Sequence, residues 1–100
     1  MTQERWNRLT TFEQMSNIDG EVQRMVAFMN GEGTHKQEDI DLYYCRISDL
    51  VFRTISDPKN RERSPEILGE LHEIERYLHG ETDADYILRY WSVYTAALAG

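Results

Sequence analysis

The sequence predicts an all-α fold, an antiparallel four-helix bundle running up-down-up-down. Apolar residues recur at helical spacing in four separate stretches, and such periodicity is the primary signal for amphipathic helices. Each stretch is bounded by a cap residue, a glycine or a proline. The connections are short, which favours antiparallel neighbours.

Residues 1–10, carrying Trp6 and Leu9, read as an extended arm folded back over one end. The first helix is expected over residues 11–30. Thr10 and Thr11 each precede Glu or Gln by three positions, the capping-box pattern. Phe12, Met15, Ile18, Val22, Met25, Val26 and Met29 then form a core-facing stripe. Gly31 and Gly33 end it, because glycine takes the left-handed conformation at a helix terminus without steric cost.

The second helix is expected over residues 35–56, opened by Thr34 with Gln37 at the capping-box position and broken by Asp57-Pro58. Ile40, Tyr43, Tyr44, Ile47, Leu50, Val51 and Ile55 form its main stripe. Leu42, Cys45 and Phe52 fall together on the opposite side, so this helix is apolar on two faces. After a charged loop, Ser64, Pro65 and Glu66 give a cap, a first-turn proline and an early acid for a third helix over residues 65–79. Ile67, Leu68, Leu71, Ile74 and Leu78 are its stripe and Gly80 its stop. Thr82 starts a fourth helix over residues 83–98, on which Tyr86, Ile87, Tyr90, Trp91, Val93, Tyr94, Ala97 and Leu98 cover nearly half the circumference.

The 100 residues, 40% hydrophobic and 29% charged, suit one domain with a modest core. At this size an oligomer interface can supply part of the stability. The formal charge of −7 repels phosphate backbones and disfavours nucleic acid or an anionic membrane as partner. One cysteine cannot make an internal disulfide, the N-terminus lacks the apolar run of a signal peptide, and no segment is apolar enough to span a bilayer. A cytoplasmic location is the expectation.

Glu13-Gln14-Met15-Ser16-Asn17-Ile18, then Glu21-Val22 and Arg24, with the later Asp49-Leu50 and Thr54-Ile55-Ser56-Asp57, resemble a group of small prokaryotic helical proteins of about this length. That group has no established activity, so the resemblance implies only a small prokaryotic helical protein.

Chemistry-bearing clusters are sparse. His72, Glu75 and His79 share one flank of the third helix and are the metal candidates, but a di-iron bundle needs Glu-x-x-His steps on two helices and none falls within this one. Helix-surface pairing explains them. No base accompanies Cys45 along its helix, so it reads as a small apolar residue, and no catalytic residue or cofactor is assigned. Asp19 sits at the edge of the first stripe and is expected to reach water, because burying its charge costs several kcal/mol. Glu21 with Arg24 and Asn17, and Asp49 with Arg53 and Asp57, read as surface pairs. Arg53, Lys59, Arg61 and Arg63 are the one basic concentration, a possible anion site diluted by acids. HEPN-type helical RNA nucleases share a helical architecture, but their Arg-to-His spacing is missing here.

What remains is excess apolar surface: Leu42, Cys45 and Phe52, with Phe28 and Trp91. Two readings compete for these residues, a larger or unevenly packed internal core and a protein–protein interface; the interface, most simply a homodimer in a non-enzymatic module, is preferred. The alternatives are an RNA- or nucleotide-handling protein using the basic group, and a metal-dependent helical enzyme.

Overall fold

The computed structural model describes residues 1–31 and 37–99. Among them the chain forms five α-helices and one 3-10 helix, with no strand. None of these helices is long and apolar enough to cross a membrane.

The arm expected to be extended is instead a short helix, α1 (Gln3–Asn7), whose N-cap Thr2 accepts from the Arg5 amide at 3.2 Å. So short a helix is not stable alone. It persists because Trp6 is 1% exposed and its indole donates to the Thr54 hydroxyl at 3.0 Å.

Thr10 and Glu13 close a reciprocal capping box on α2 (Thr11–Asn30), at 3.1 and 2.9 Å. The second candidate pair, Thr11 and Gln14, is used differently. Buried Gln14 donates to the Trp6 carbonyl and to Asp57, each at 2.9 Å, and accepts from the Asn60 amide at 2.8 Å. Asn60 also donates to the Thr54 carbonyl and accepts from Thr11. This buried polar network joins α1, the start of α2 and the chain after α3, and its satisfaction makes its burial tolerable. Asp57, expected at the surface, belongs to it and is 4% exposed.

Gly31 is extended, with φ −70° and ψ 162°, and does not supply the left-handed cap expected of it. Gly33, Thr34 and the first turn expected for the second helix lie outside the described residues. From Gln37 the chain continues as α3 (Gln37–Ile55). The expected charged loop is a 3-10 helix (Pro58–Arg63), capped by the Asp57 carboxylate. It runs straight into α4 (Ser64–Leu78), so Ser64 is the first helical residue rather than the cap, and its hydroxyl donates back to the Asn60 carbonyl.

Gly80, at φ 79°, ends α4 as predicted. The Gly80 amide donates to Tyr77 and the Glu81 amide to Arg76, at 3.0 and 2.9 Å, which is the Schellman pattern. Asp83, one residue after the expected Thr82, caps α5 (Ala84–Ala97) by accepting from the Tyr86 amide at 2.8 Å.

α2 packs on α3 and α5, and α4 packs on the same two helices. Met15, Ile18, Val22 and Met25 of α2 meet Ile47, Val51, Ile67, Ile74, Ile87 and Trp91 in a fully buried core. Each such side chain contributes about 1.5–3 kcal/mol of transfer free energy. The predicted stripes are broader than what is buried. Phe12 and Leu68 remain exposed, and on α5 only Ile87, Trp91 and Thr95 are buried while Tyr86, Tyr90 and Val93 face outward.

Candidate functional site

Two surfaces carry unspent chemistry. The first is the outer flank of α3, where Leu42 is 63% and Phe52 52% exposed, with exposed Cys45 between them. Beside it, half-buried Phe28 of α2 packs on Tyr43, ring centroids 5.6 Å apart, and the Arg46 guanidinium lies 5.8 Å from the Tyr43 ring centre. Phe28, Leu42, Tyr43, Arg46 and Asp39 together line a shallow depression. Trp91, expected at the interface, does not reach it. Its ring is fully buried and its indole donates to the Glu70 carbonyl at 3.2 Å, because α5 turns this position into the core and Tyr86 and Tyr90 outward.

The basic residues do not converge. Arg53 pairs with Asp49 at 2.9 Å, Lys59 with Asp57, and Arg63 with Glu66 at 3.9 Å. Lys59 also donates to the Asn7 carbonyl, which makes it a clasp on α1 rather than an anion ligand. Arg61 is exposed. The metal candidates do not assemble either: among the described residues no group of three or more His, Cys, Asp or Glu side chains is placed to hold a metal ion. His72 and Glu75 approach to 3.8 Å on an open flank. Glu75 instead accepts from the Tyr44 hydroxyl at 2.9 Å, in a groove that His79 also lines.

The second surface was not legible as a site from the sequence. Glu70 of α4 is 1% exposed, and neither of its carboxylate oxygens has a hydrogen-bond partner. Burial first, then the charges of Glu73 and Asp19, push its pKa up to about 8. Asp19, expected to reach water, is 8% exposed, has one oxygen without a partner, and is likewise raised by burial, against a hydrogen bond from Gln23. Two carboxyl groups from α2 and α4 therefore share one poorly solvated region, where the charge of Asp19 opposes ionisation of Glu70.

Glu70 also lines a groove of about 460 Å³ whose other walls are Tyr86, Arg89, Tyr90, Val93, Tyr94 and Ala97 of α5. The Tyr86 and Tyr90 rings stand 5.8 Å apart, tilted by 34°. Tyr94 donates to Glu66 at 3.1 Å, and its hydroxyl is pushed up to about 12 by burial and by that carboxylate. One sequence signal for Glu70 existed: it lies three residues after Ile67 and four before Ile74, inside the buried arc of α4.

The chain matches no protein-family model, no curated protein and no solved structure.

Proposed function

We propose that the chain is a non-enzymatic interaction module that assembles with a second copy of itself through the outer flank of α3. The observation that carries this reading is the exposure of Leu42 and Phe52, 63% and 52%, on one flank of a single helix. Covering such surface gains about 25 cal/mol per Å². The flank is also self-complementary in charge. Acids gather at its N-terminal end, Glu38 and Asp41, and Arg53 stands at its C-terminal end. A two-fold axis level with Ile47, with the two α3 helices antiparallel, brings Leu42 level with the partner's Phe52 and Asp41 level with the partner's Arg53 across the seam. Asp49 enters this seam already paired with Arg53.

The 19 residues of α3 make a seam about 28 Å long. One helix pair covers less than the roughly 800 Å² per partner of a standard interface, so affinity in the micromolar range is expected. Within each copy, α2 to α5 are read as an antiparallel bundle running up-down-up-down. The cyclic packing of α2 on α3, α3 on α4, α4 on α5 and α5 on α2 supports that order.

Light scattering across a dilution series tests the assembly. The mass is expected to fall from twice 11.8 kDa toward 11.8 kDa as the protein is diluted. Phe52→Glu is expected to give a helical monomer at every concentration, since Phe52 is more than half exposed. In the antiparallel register the two Cys45 thiols are offset by only about 6 Å along the helices, so a short bismaleimide should link wild-type copies and not F52E. Wild-type protein that stays at 11.8 kDa at high concentration refutes the reading.

A further inference from the structure

We propose that the groove between α4 and the outward face of α5 binds a primary alkylammonium, with Glu70 at its floor as the counter-ion. A buried carboxyl with both oxygens unpartnered is costly to the fold, and folds keep such groups where something else supplies the donors. An ammonium group carries three N–H donors and the matching charge. The walls suit the rest of the molecule. The rings of Tyr86, Tyr90 and Tyr94 line it, and aromatic rings attract cations through their quadrupoles. Val93 and Ala97 offer a surface for an alkyl stem, and the volume of about 460 Å³ is that of a small-molecule site.

The charges around the floor favour a cation as well. Asp19 faces Glu70 from α2 and Glu73 from its own helix, while Tyr90 and Tyr94 from α5 are uncharged phenols, raised above their ordinary pKa by burial first. Arg89 is the cation lining the groove. The net charge of −7 draws cations to the whole surface and repels carboxylates.

Binding is coupled to a proton. At neutral pH the Glu70 carboxyl holds its proton, since its pKa is about 8. When the ammonium arrives, the O–H bond breaks, the proton leaves to solvent, and N–H donors of the ligand take its place on the carboxylate. Affinity therefore rises with pH until Glu70 is ionised in the free protein, and about one proton is released per ligand at pH 7.

Isothermal titration calorimetry of the full chain tests this with n-hexylammonium chloride as probe and n-hexanol and sodium hexanoate as controls. The expected result is saturable binding of hexylammonium, none of hexanoate, and binding of hexanol roughly tenfold weaker or more, the worth of a charge-assisted contact. Titrations in two buffers of different ionisation heat should show the released proton at pH 7 and its disappearance above pH 9. Glu70→Gln should lose both the preference for ammonium over alcohol and the proton. Hexanol binding as tightly as hexylammonium, proton-free binding by wild type, or no saturable binding overturns the proposal, and the first two hold whether or not E70Q folds. The groove is on α5 and the proposed seam on α3, so ammonium binding by a monomer or its failure in a dimer separates the two readings.

Discussion

Replacing Glu70 by glutamine should make the fold more stable, and increasingly so as the pH rises. The wild-type carboxyl is 1% exposed, and burial with the nearby charges of Glu73 and Asp19 raises its pKa from 4.5 to about 8. In the unfolded chain it titrates near its ordinary value. Between those two values the folded protein holds a proton that the unfolded chain releases, so stability is lost as pH climbs through the window and levels off above the folded pKa. At about 1.4 kcal/mol per pH unit, the loss is roughly 3 kcal/mol at pH 7 and roughly 5 kcal/mol at pH 9. Either is a large share of the 5–15 kcal/mol typical of a domain.

The E70Q side chain keeps the shape and cannot ionise. Its stability relative to wild type is expected to be near zero at pH 4, roughly 3 kcal/mol in its favour at pH 7 and roughly 5 kcal/mol at pH 9. Urea unfolding followed by tryptophan fluorescence measures it, because Trp6 and Trp91 are both buried and report on the core. Taking the difference between the two proteins at each pH cancels the other titrating groups. A difference that is flat from pH 4 to pH 9 refutes the assignment of a protonated, buried Glu70.

Asn60→Ala removes the side chain that links Gln14 to the Thr54 carbonyl and should cost about 3 kcal/mol by leaving buried polar groups unpaired, read from the urea midpoint. Trp6→Ala should cost about 3–5 kcal/mol for the lost ring and, by freeing α1, should expose residues 1–10 to limited proteolysis while residues 64–97 stay protected. Gly80→Ala places a Cβ at φ 79° and should cost about 1–2 kcal/mol with no change in the circular dichroism spectrum. Asp57 is pushed up by burial but held below its ordinary pKa on balance by hydrogen bonds from Lys59 and Gln14. It supports the fold above the unfolded carboxylate range and loses that support as pH falls through its folded value, so D57N should blunt the acid limb of the unfolding profile.

Local chemistry in the sequence was sufficient wherever the answer depended on residues three or four apart. The Thr10–Glu13 capping box, the Gly80 stop and the inner stripe from Met15 to Val26 follow from helical periodicity and cap chemistry alone. The exposed second flank of α3 was legible for the same reason, since Leu42, Cys45 and Phe52 fall on one side of any helix drawn through them. Which part of a wide stripe goes inward was not. The eight apolar positions expected on the last helix exceed what one interface buries, and only contact with α2 and α4 selects Ile87 and Trp91 and leaves Tyr86, Tyr90 and Val93 outside.

The polar interior depended still more on tertiary structure. Gln14 and Asn60 are 46 positions apart and meet only when α1 and the 3-10 helix close on the base of α2. Glu70 and Asp19 are each ordinary helix acids along the chain, and become buried neighbours because α2 and α4 bring them together. Periodicity along one helix sets which side chains share a face. What that face meets, and so whether a carboxyl there is solvated, paired or protonated, is decided by the helices across from it.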